Sequence, residues 1–294
     1  MRDVDDLPHV DLRDPDSTAR ILSGLTTHGI TLFQGGAERN DLLCAARSLI
    51  RIRTHRDSDS DGVTPIAQRA ASNGGKTSLT GFTDRELWPH TEGAAVCRPP
   101  RVLMLACLRP AQTGGRSHLV DGRDLYDGIA RTEPAMLAAL SKPRSAYFGG
   151  GSGNLGAIFE QTTEGRITLR LRLDELARFA PMLMPSIDRL RTLVQQQAIP
   201  VDLREGHGYI LLNDRWLHGR TRFTGNRLML RIIGDPLSTH ALPSGFSPAE
   251  APQPAPRAHR TSVDTTPLPR PPSAGGTAAP AQRWTDSTMP TPAS

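Results

Sequence analysis

The chain has 294 residues, a formal charge of +5 at pH 7 and an apolar fraction of 37%, enough for one large domain or two small ones. Its basic residues are scattered rather than massed with aromatics into a stripe, which argues against a nucleic-acid partner. The acidic, polar start MRDVDDLPHVDLRD is no secretory signal, no apolar run reaches membrane-spanning length, and Cys44, Cys97 and Cys107 form an odd set without metal-type spacing, so a soluble cytoplasmic protein with reduced thiols is expected.

In chain order, Ser17–His28 carries Ile21, Leu22 and Leu25 on one face behind a cap at Asp16 or Ser17, the pattern of an amphipathic helix. GITLFQGG (29–36) is a short apolar strand closed by glycines, and a second amphipathic helix is predicted over about Asn40–Ile52. Residues 53–80 are polar and rich in Gly and Ser, and are expected to form a long loop of the kind that carries function. RVLMLACLR (101–109) is a strand, TGGRSHLVDG turns into another, and Arg123–Ala130 and Met184–Gln197 are predicted helices. HGYILLN (207–213) and NRLMLRIIG (226–234) are the closing strands. Strands fill the middle and end while helices flank the front. The expected fold class is therefore mainly β with flanking helices (α+β), a barrel or sandwich rather than a βαβ alternation.

From about Pro236 the composition shifts to Pro, Ala, Ser and Thr. Such a segment cannot bury enough apolar surface to offset its ordering entropy. The expected division is a folded domain over 1–238 and a disordered tail over 239–294.

LWPHTEG (87–93) sets His90 and Glu92 two residues apart, a spacing that points both side chains the same way along an extended chain. By itself the stretch reads equally well as an exposed loop. His218, in NDRWLHGRTRF (213–223), follows an apolar strand, where a lone histidine is more often a hydrogen-bonded structural residue than a ligand. Together the three residues supply two imidazoles and one carboxylate, the donor set of facial non-haem Fe(II) sites, which leave three adjacent coordination positions open. Arg227 and Arg231, four apart in NRLMLRIIGD, share one side of a strand. Among Leu228, Leu230, Ile232 and Ile233 a buried guanidinium needs an anion, and arginine takes carboxylates bidentately. The alternative is a surface pair on an edge strand.

The order HTE, PPRVLMLACLRPAQTGGRSHLVDG, LLNDRWLHGRTRF and RLMLR resembles the taurine dioxygenase/TfdA-like superfamily over about residues 15–235. HTE together with LHGR is most similar to its clavaminate synthase-like branch, which includes free-amino-acid hydroxylases. The resemblance implies a double-stranded β-helix (jelly-roll) core, Fe(II), 2-oxoglutarate as cosubstrate and O2. Carried over position by position, it implies His90, Glu92 and His218 as iron ligands and Arg227 on the distal carboxylate of 2-oxoglutarate. It further implies Ser117 as a hydroxyl bonded to the cosubstrate, where a threonine is usual, and Arg231 toward the substrate's own anionic group. Arg227 follows His218 by fewer residues than the family's pattern, so the division of labour between the two arginines stays open. The implied reaction is oxidation, most often hydroxylation, of an unactivated C–H of a small polar molecule in specialised metabolism such as antibiotic biosynthesis. An amino acid or derivative, free or carrier-protein-bound, is the expected substrate. Glu92 in the ligand set argues against halogenation, in which a halide would need that coordination position.

Two other readings use the same residues: a zinc-dependent hydrolase, which leaves Arg227 without a role, and a catalytically silent jelly-roll that binds a small ligand. GSGNLG (151–156) fits the dinucleotide-binding GxGxxG pattern but lacks the strand and helix that motif requires, so a flexible loop over the site is expected there. Ser117 and His118 are adjacent on a strand and point apart, and no nucleophile elbow accompanies them.

Overall fold

RVLMLACLR is apolar without a break because both faces of its strand, Val102–Arg109, are covered. Val102, Met104 and Ala106 pack outward with Ile21, Leu25, Leu42 and Leu49 from the two front helices. Leu103, Leu105 and Cys107 pack inward with Leu119, Ile199 and Trp216. A period of two thus sorts one strand's residues into two cores. The computed structural model describes residues 3–68 and 80–249.

Val102–Arg109 lies at the centre of a seven-stranded sheet. Its order is His9–Asp11, Ile30–Gln34, Gly208–Leu212, Val102–Arg109, Leu228–Pro236 and Ile50–Arg53, with Thr64–Ala67 also paired to Leu228–Pro236. Helices Ser17–His28 and Arg39–Leu49 cover the outer face. The first ends at Gly29, whose φ of 73° places it in the left-handed region, and whose N–H caps the Leu25 carbonyl at 3.0 Å. The inner face meets a four-stranded antiparallel sheet, Ile199–Val201, Ser117–Asp121, Trp216–Arg220 and Leu87–His90. Two facing sheets wound in this way form the expected double-stranded β-helix. A third hydrophobic cluster lies beyond them, where helices Gly122–Thr132, Pro134–Leu140 and Met184–Gln196 pack around Phe148, Phe159 and Leu190.

Three local expectations are corrected. The second helix stops at Leu49, and Ile50–Arg53 becomes a strand because Ile50, Arg51, Ile52 and Arg53 pair in register with Pro236, Asp235, Gly234 and Ile233. The expected loop 53–80 contains the strand Thr64–Ala67, while its residues 69–79 lie outside the described residues. Within GSGNLG, Gly153–Gly156 is a strand that forms a hairpin with Ala146–Gly149. No helix follows it, as a dinucleotide site would require.

The packed chain also runs past residue 238. Phe246 is 1% exposed, and its backbone exchanges two 2.8 Å hydrogen bonds with Ile167. The Arg166 guanidinium donates to the carbonyls of Ser244 and Gly245. The tail from residue 250 lies outside the described residues. Among the described residues no helix is long and apolar enough to cross a membrane.

Candidate active site

His90 ends the strand Leu87–His90, and His218 is the middle residue of Trp216–Arg220. The two strands pair with His218 opposite His90, which brings the ring centroids within 4.5 Å. The intervening glycine explains the closeness. A Cβ on Gly219 would stand 2.5 Å from the Leu87 carbonyl and 2.7 Å from Pro89 N. Only glycine lets the backbones approach so far. His90 Nδ1 donates to the Trp88 carbonyl at 2.9 Å, which leaves Nε2 as a bare lone pair.

Glu92 is held by its backbone. The Asn213 side chain accepts the Glu92 N–H at 2.6 Å and donates to the carbonyls of Glu92 at 2.9 Å and Pro100 at 2.8 Å. With the backbone so fixed, a ring nitrogen of each histidine and a carboxylate oxygen of Glu92 all lie within 4.8 Å of one another. Burial, with the neighbouring His90, pushes His218 down to about 3, and burial likewise lowers His90. Both imidazoles are therefore neutral at neutral pH, the form in which histidine can bind a metal. Burial alone would raise the Glu92 carboxyl, but the charge of the Arg231 guanidinium beside it outweighs that and holds the group at about 2. Two neutral imidazoles and one carboxylate fit a divalent first-row metal.

The same strand parity that faces Met229 and Ile233 inward carries Arg227 and Arg231 to the inner face. Leu228–Pro236 is flanked by paired strands on both sides, so these arginines are not an edge-strand surface pair. Arg231 donates from Nη1 to Glu92 Oε2 at 2.7 Å, while its Nε and Nη2 are buried without a partner. Arg227 is 6% exposed and has no carboxylate partner among the described residues. The Phe223 ring orders it, with the guanidinium carbon 5.6 Å from the ring centroid, and orders Arg220 at 4.8 Å. Nearby, the hydroxyls of Ser117 and Tyr209 approach each other, yet neither completes a well-formed hydrogen bond. Burial pushes the Tyr209 phenol well above its ordinary range, so it stays a proton donor.

All six residues singled out from the sequence line one cavity of about 730 Å³. Four further residues belong with them. Asn213 aims the ligand segment, and Tyr209 stands with Ser117. Arg220 straps the turn over the cavity by donating to the carbonyls of Thr80, Thr83 and Arg85. His55 lines the wall, where burial and then the charge of Arg231 lower its basicity. Tyr209 was within reach of the sequence, since it shares the inward parity of Leu211 in GYILL. His55 was not, because it lies in the polar stretch that reads as loop.

A double-stranded β-helix with two histidines and a carboxylate converging on its cavity is the arrangement of mononuclear non-haem metal oxygenases. The chain matches the family described as "Taurine catabolism dioxygenase TauD, TfdA family" over residues 3–233, and it belongs to that family. A uridine-5'-phosphate dioxygenase from Streptomyces sp is 24% identical over 79% of this chain and 92% of that protein. Among solved structures, asparagine oxygenase in complex with Fe(II), 3-hydroxyasparagine and succinate superposes with a TM-score of 0.60 at 16% identity, over 76% of this chain and 86% of that one. The non-heme iron oxygenase OrfP, in complex with Fe and alpha-ketoglutaric acid, gives a TM-score of 0.56 at 15% identity, over 79% of this chain and 87% of that one.

Proposed function

We propose that the protein is an Fe(II)- and 2-oxoglutarate-dependent dioxygenase that oxidises, by hydroxylation in the first instance, a C–H bond of a small polar anion in specialised metabolism. The observation that carries this reading is the convergence of His90, Glu92 and His218 within 4.8 Å beside a buried Arg227 that lacks a carboxylate partner. In this reading His90, Glu92 and His218 hold the iron, with the His90 tautomer fixed by Trp88. Arg227 receives the distal carboxylate of 2-oxoglutarate, the role for which a desolvated guanidinium is suited. Ser117 and Tyr209 donate to the cosubstrate with the hydroxyls they leave unpaired. Leu105, Met229 and Ile233 exclude water from this end of the cavity. Bound there, iron and 2-oxoglutarate supply the oxidising power, with O2 consumed and succinate and CO2 released. Arg231 then faces the substrate's acidic group.

The hydrolase reading leaves Arg227 idle, and the other carboxylates lining the cavity, Asp57 and Asp174, are each held by an arginine rather than free to act as general base, so the oxygenase is favoured. Three cysteines without disulfides suit a reducing cytoplasm. The related proteins divide by name between amino-acid substrates and a nucleotide. An amino acid or derivative, including one carried on a protein, is the substrate class that the family resemblance brings. The test is anaerobic addition of Fe(II) and 2-oxoglutarate. A visible charge-transfer band is expected, lost in His218→Ala and weakened in Arg227→Ala. A protein that binds zinc, forms no such band and releases no succinate would end the proposal.

A further inference from the structure

Charge separates the two substrate classes. A free amino acid brings an ammonium group that needs a carboxylate or a comparable acceptor. Three carboxylates line the cavity, and each is already engaged. Asp174 takes both arms of Arg172, at 2.7 and 2.5 Å. Glu92 takes Arg231 at 2.7 Å and is one of the three metal donors. Asp57 takes the Arg56 guanidinium at 3.3 Å.

Against these stand six arginines on the cavity wall: Arg53, Arg56, Arg172, Arg220, Arg227 and Arg231. Asp235 neutralises Arg53 from behind the wall at 2.6 Å. Arg220 directs its hydrogen bonds to backbone carbonyls, and Asp84 acts on it only through its field. The charges of a ferrous ion and a 2-oxoglutarate dianion cancel, so loading the site leaves the positive surplus in place.

Donors are in surplus too. Arg231 Nε and Nη2 are buried without acceptors, an arrangement that is costly until one arrives. His55 Nδ1 accepts the Asp57 N–H at 3.2 Å, so the neutral ring carries its proton on Nε2 as one more donor. The volume of about 730 Å³ is in the upper half of the range for small-molecule sites.

We propose that the substrate is a phosphate monoester without a free ammonium group, its head held in this cation-rich cavity. A phosphate monoester carries roughly −1.5 to −2 charge at neutral pH and three acceptor oxygens. That matches both the surplus charge and the surplus donors. A zwitterion matches neither, since its net charge is zero and its ammonium group meets guanidinium.

The inference rests on the iron and 2-oxoglutarate reading, and one experiment separates the two. The anaerobic Fe(II)–2-oxoglutarate band reports on that reading. The shift of the band and the rise in melting temperature, on adding uridine 5'-phosphate, glycerol 3-phosphate, uridine, glycerol, L-asparagine or L-arginine, report on the substrate class. The phosphate probes are expected to bind at least about tenfold more tightly than their phosphate-free counterparts and the amino acids, the gain expected of one or more charge-assisted hydrogen bonds. If the band forms but the phosphate probes do no better than the others, the substrate inference is overturned and the oxygenase reading stands. If no band forms, the oxygenase reading falls and takes the inference with it.

Discussion

Asn213 holds Glu92 by its backbone on both sides, accepting its N–H at 2.6 Å and donating to its carbonyl at 2.9 Å. The amide sits 2% exposed at the end of the strand Gly208–Leu212, so the inner core of the large sheet positions a carboxylate at the edge of the small one. Asn213→Ala leaves three buried backbone groups without partners and is expected to cost about 2–4 kcal/mol. Urea unfolding measures that loss, and iron titration of the folded fraction should show weakened binding. A variant as stable as the parent with unchanged iron affinity would mean that the contact positions nothing.

Gly219 sets the distance between the two histidine strands. An alanine there meets the backbone of Leu87 and Pro89 in the neighbouring strand, so the strands must part by several tenths of an ångström or more. Gly219→Ala is expected to destabilise by about 1–3 kcal/mol and to reduce iron affinity more than a comparable overpacking change remote from the site. The comparison variant is Ala46→Val, in the buried core behind the sheet. Equal iron affinity in the two would contradict the prediction.

Arg227→Ala is expected to raise the KM for 2-oxoglutarate roughly 10- to 100-fold, the value of a charge-assisted bidentate contact. Steady-state succinate formation gives this directly. The split between the arginines also becomes measurable, because Arg231→Ala should act mainly on the substrate's KM. The reverse pattern would exchange their roles.

The metal-free protein should weaken in acid. Histidine in the unfolded chain titrates near 6.5, whereas burial and the neighbouring His90 hold folded His218 at about 3. Below about pH 6.5 the unfolded state therefore binds more protons, and stability falls as the pH drops toward 3. Glu92, held at about 2 in the fold against an ordinary 4.5, adds a second loss as the pH passes below 4.5. Melting temperatures between pH 7 and 5 should fall less steeply in His218→Asn than in the parent. Parallel curves would show that this histidine is not titrating as its burial requires.

The thiols should differ in reactivity. Cys44 and Cys97 are exposed, while Cys107 is 1% exposed and its thiol is pushed up by burial, against the field of Arg227. Iodoacetamide on the native protein is expected to modify the first two and spare the third until the chain unfolds. Intact mass and peptide mapping distinguish the outcomes.

What the sequence revealed follows from what its patterns encode. Period-two and period-3.6 signals report burial, and they located Val102–Arg109, Ser17–His28 and the closing strands because packing decides those residues. That His90, Glu92 and His218 belong together was legible because a metal site demands particular residue types, and the structure brings the three within 4.8 Å. Thr64–Ala67 was missed because TPIA is too short and polar for a clear alternation, and its strand exists only through pairing with Leu228–Pro236. Asn213 and Arg220 were missed for a related reason. Each acts through a partner distant in sequence, as Asn213 does through Glu92 at a separation of 121 positions, and no local spacing records that contact.

Phe246 turns a compositional edge into a structural one. Its ring lies 5.9 Å from that of Tyr126, and its backbone bridges Ile167. Trimming the gene at codon 238 would leave Tyr126 and the Ile167 strand facing water, forfeiting roughly 2–3 kcal/mol of burial from a single side chain. The minimal expressible catalytic fragment therefore extends at least through Ser247, whose hydroxyl also receives Arg166.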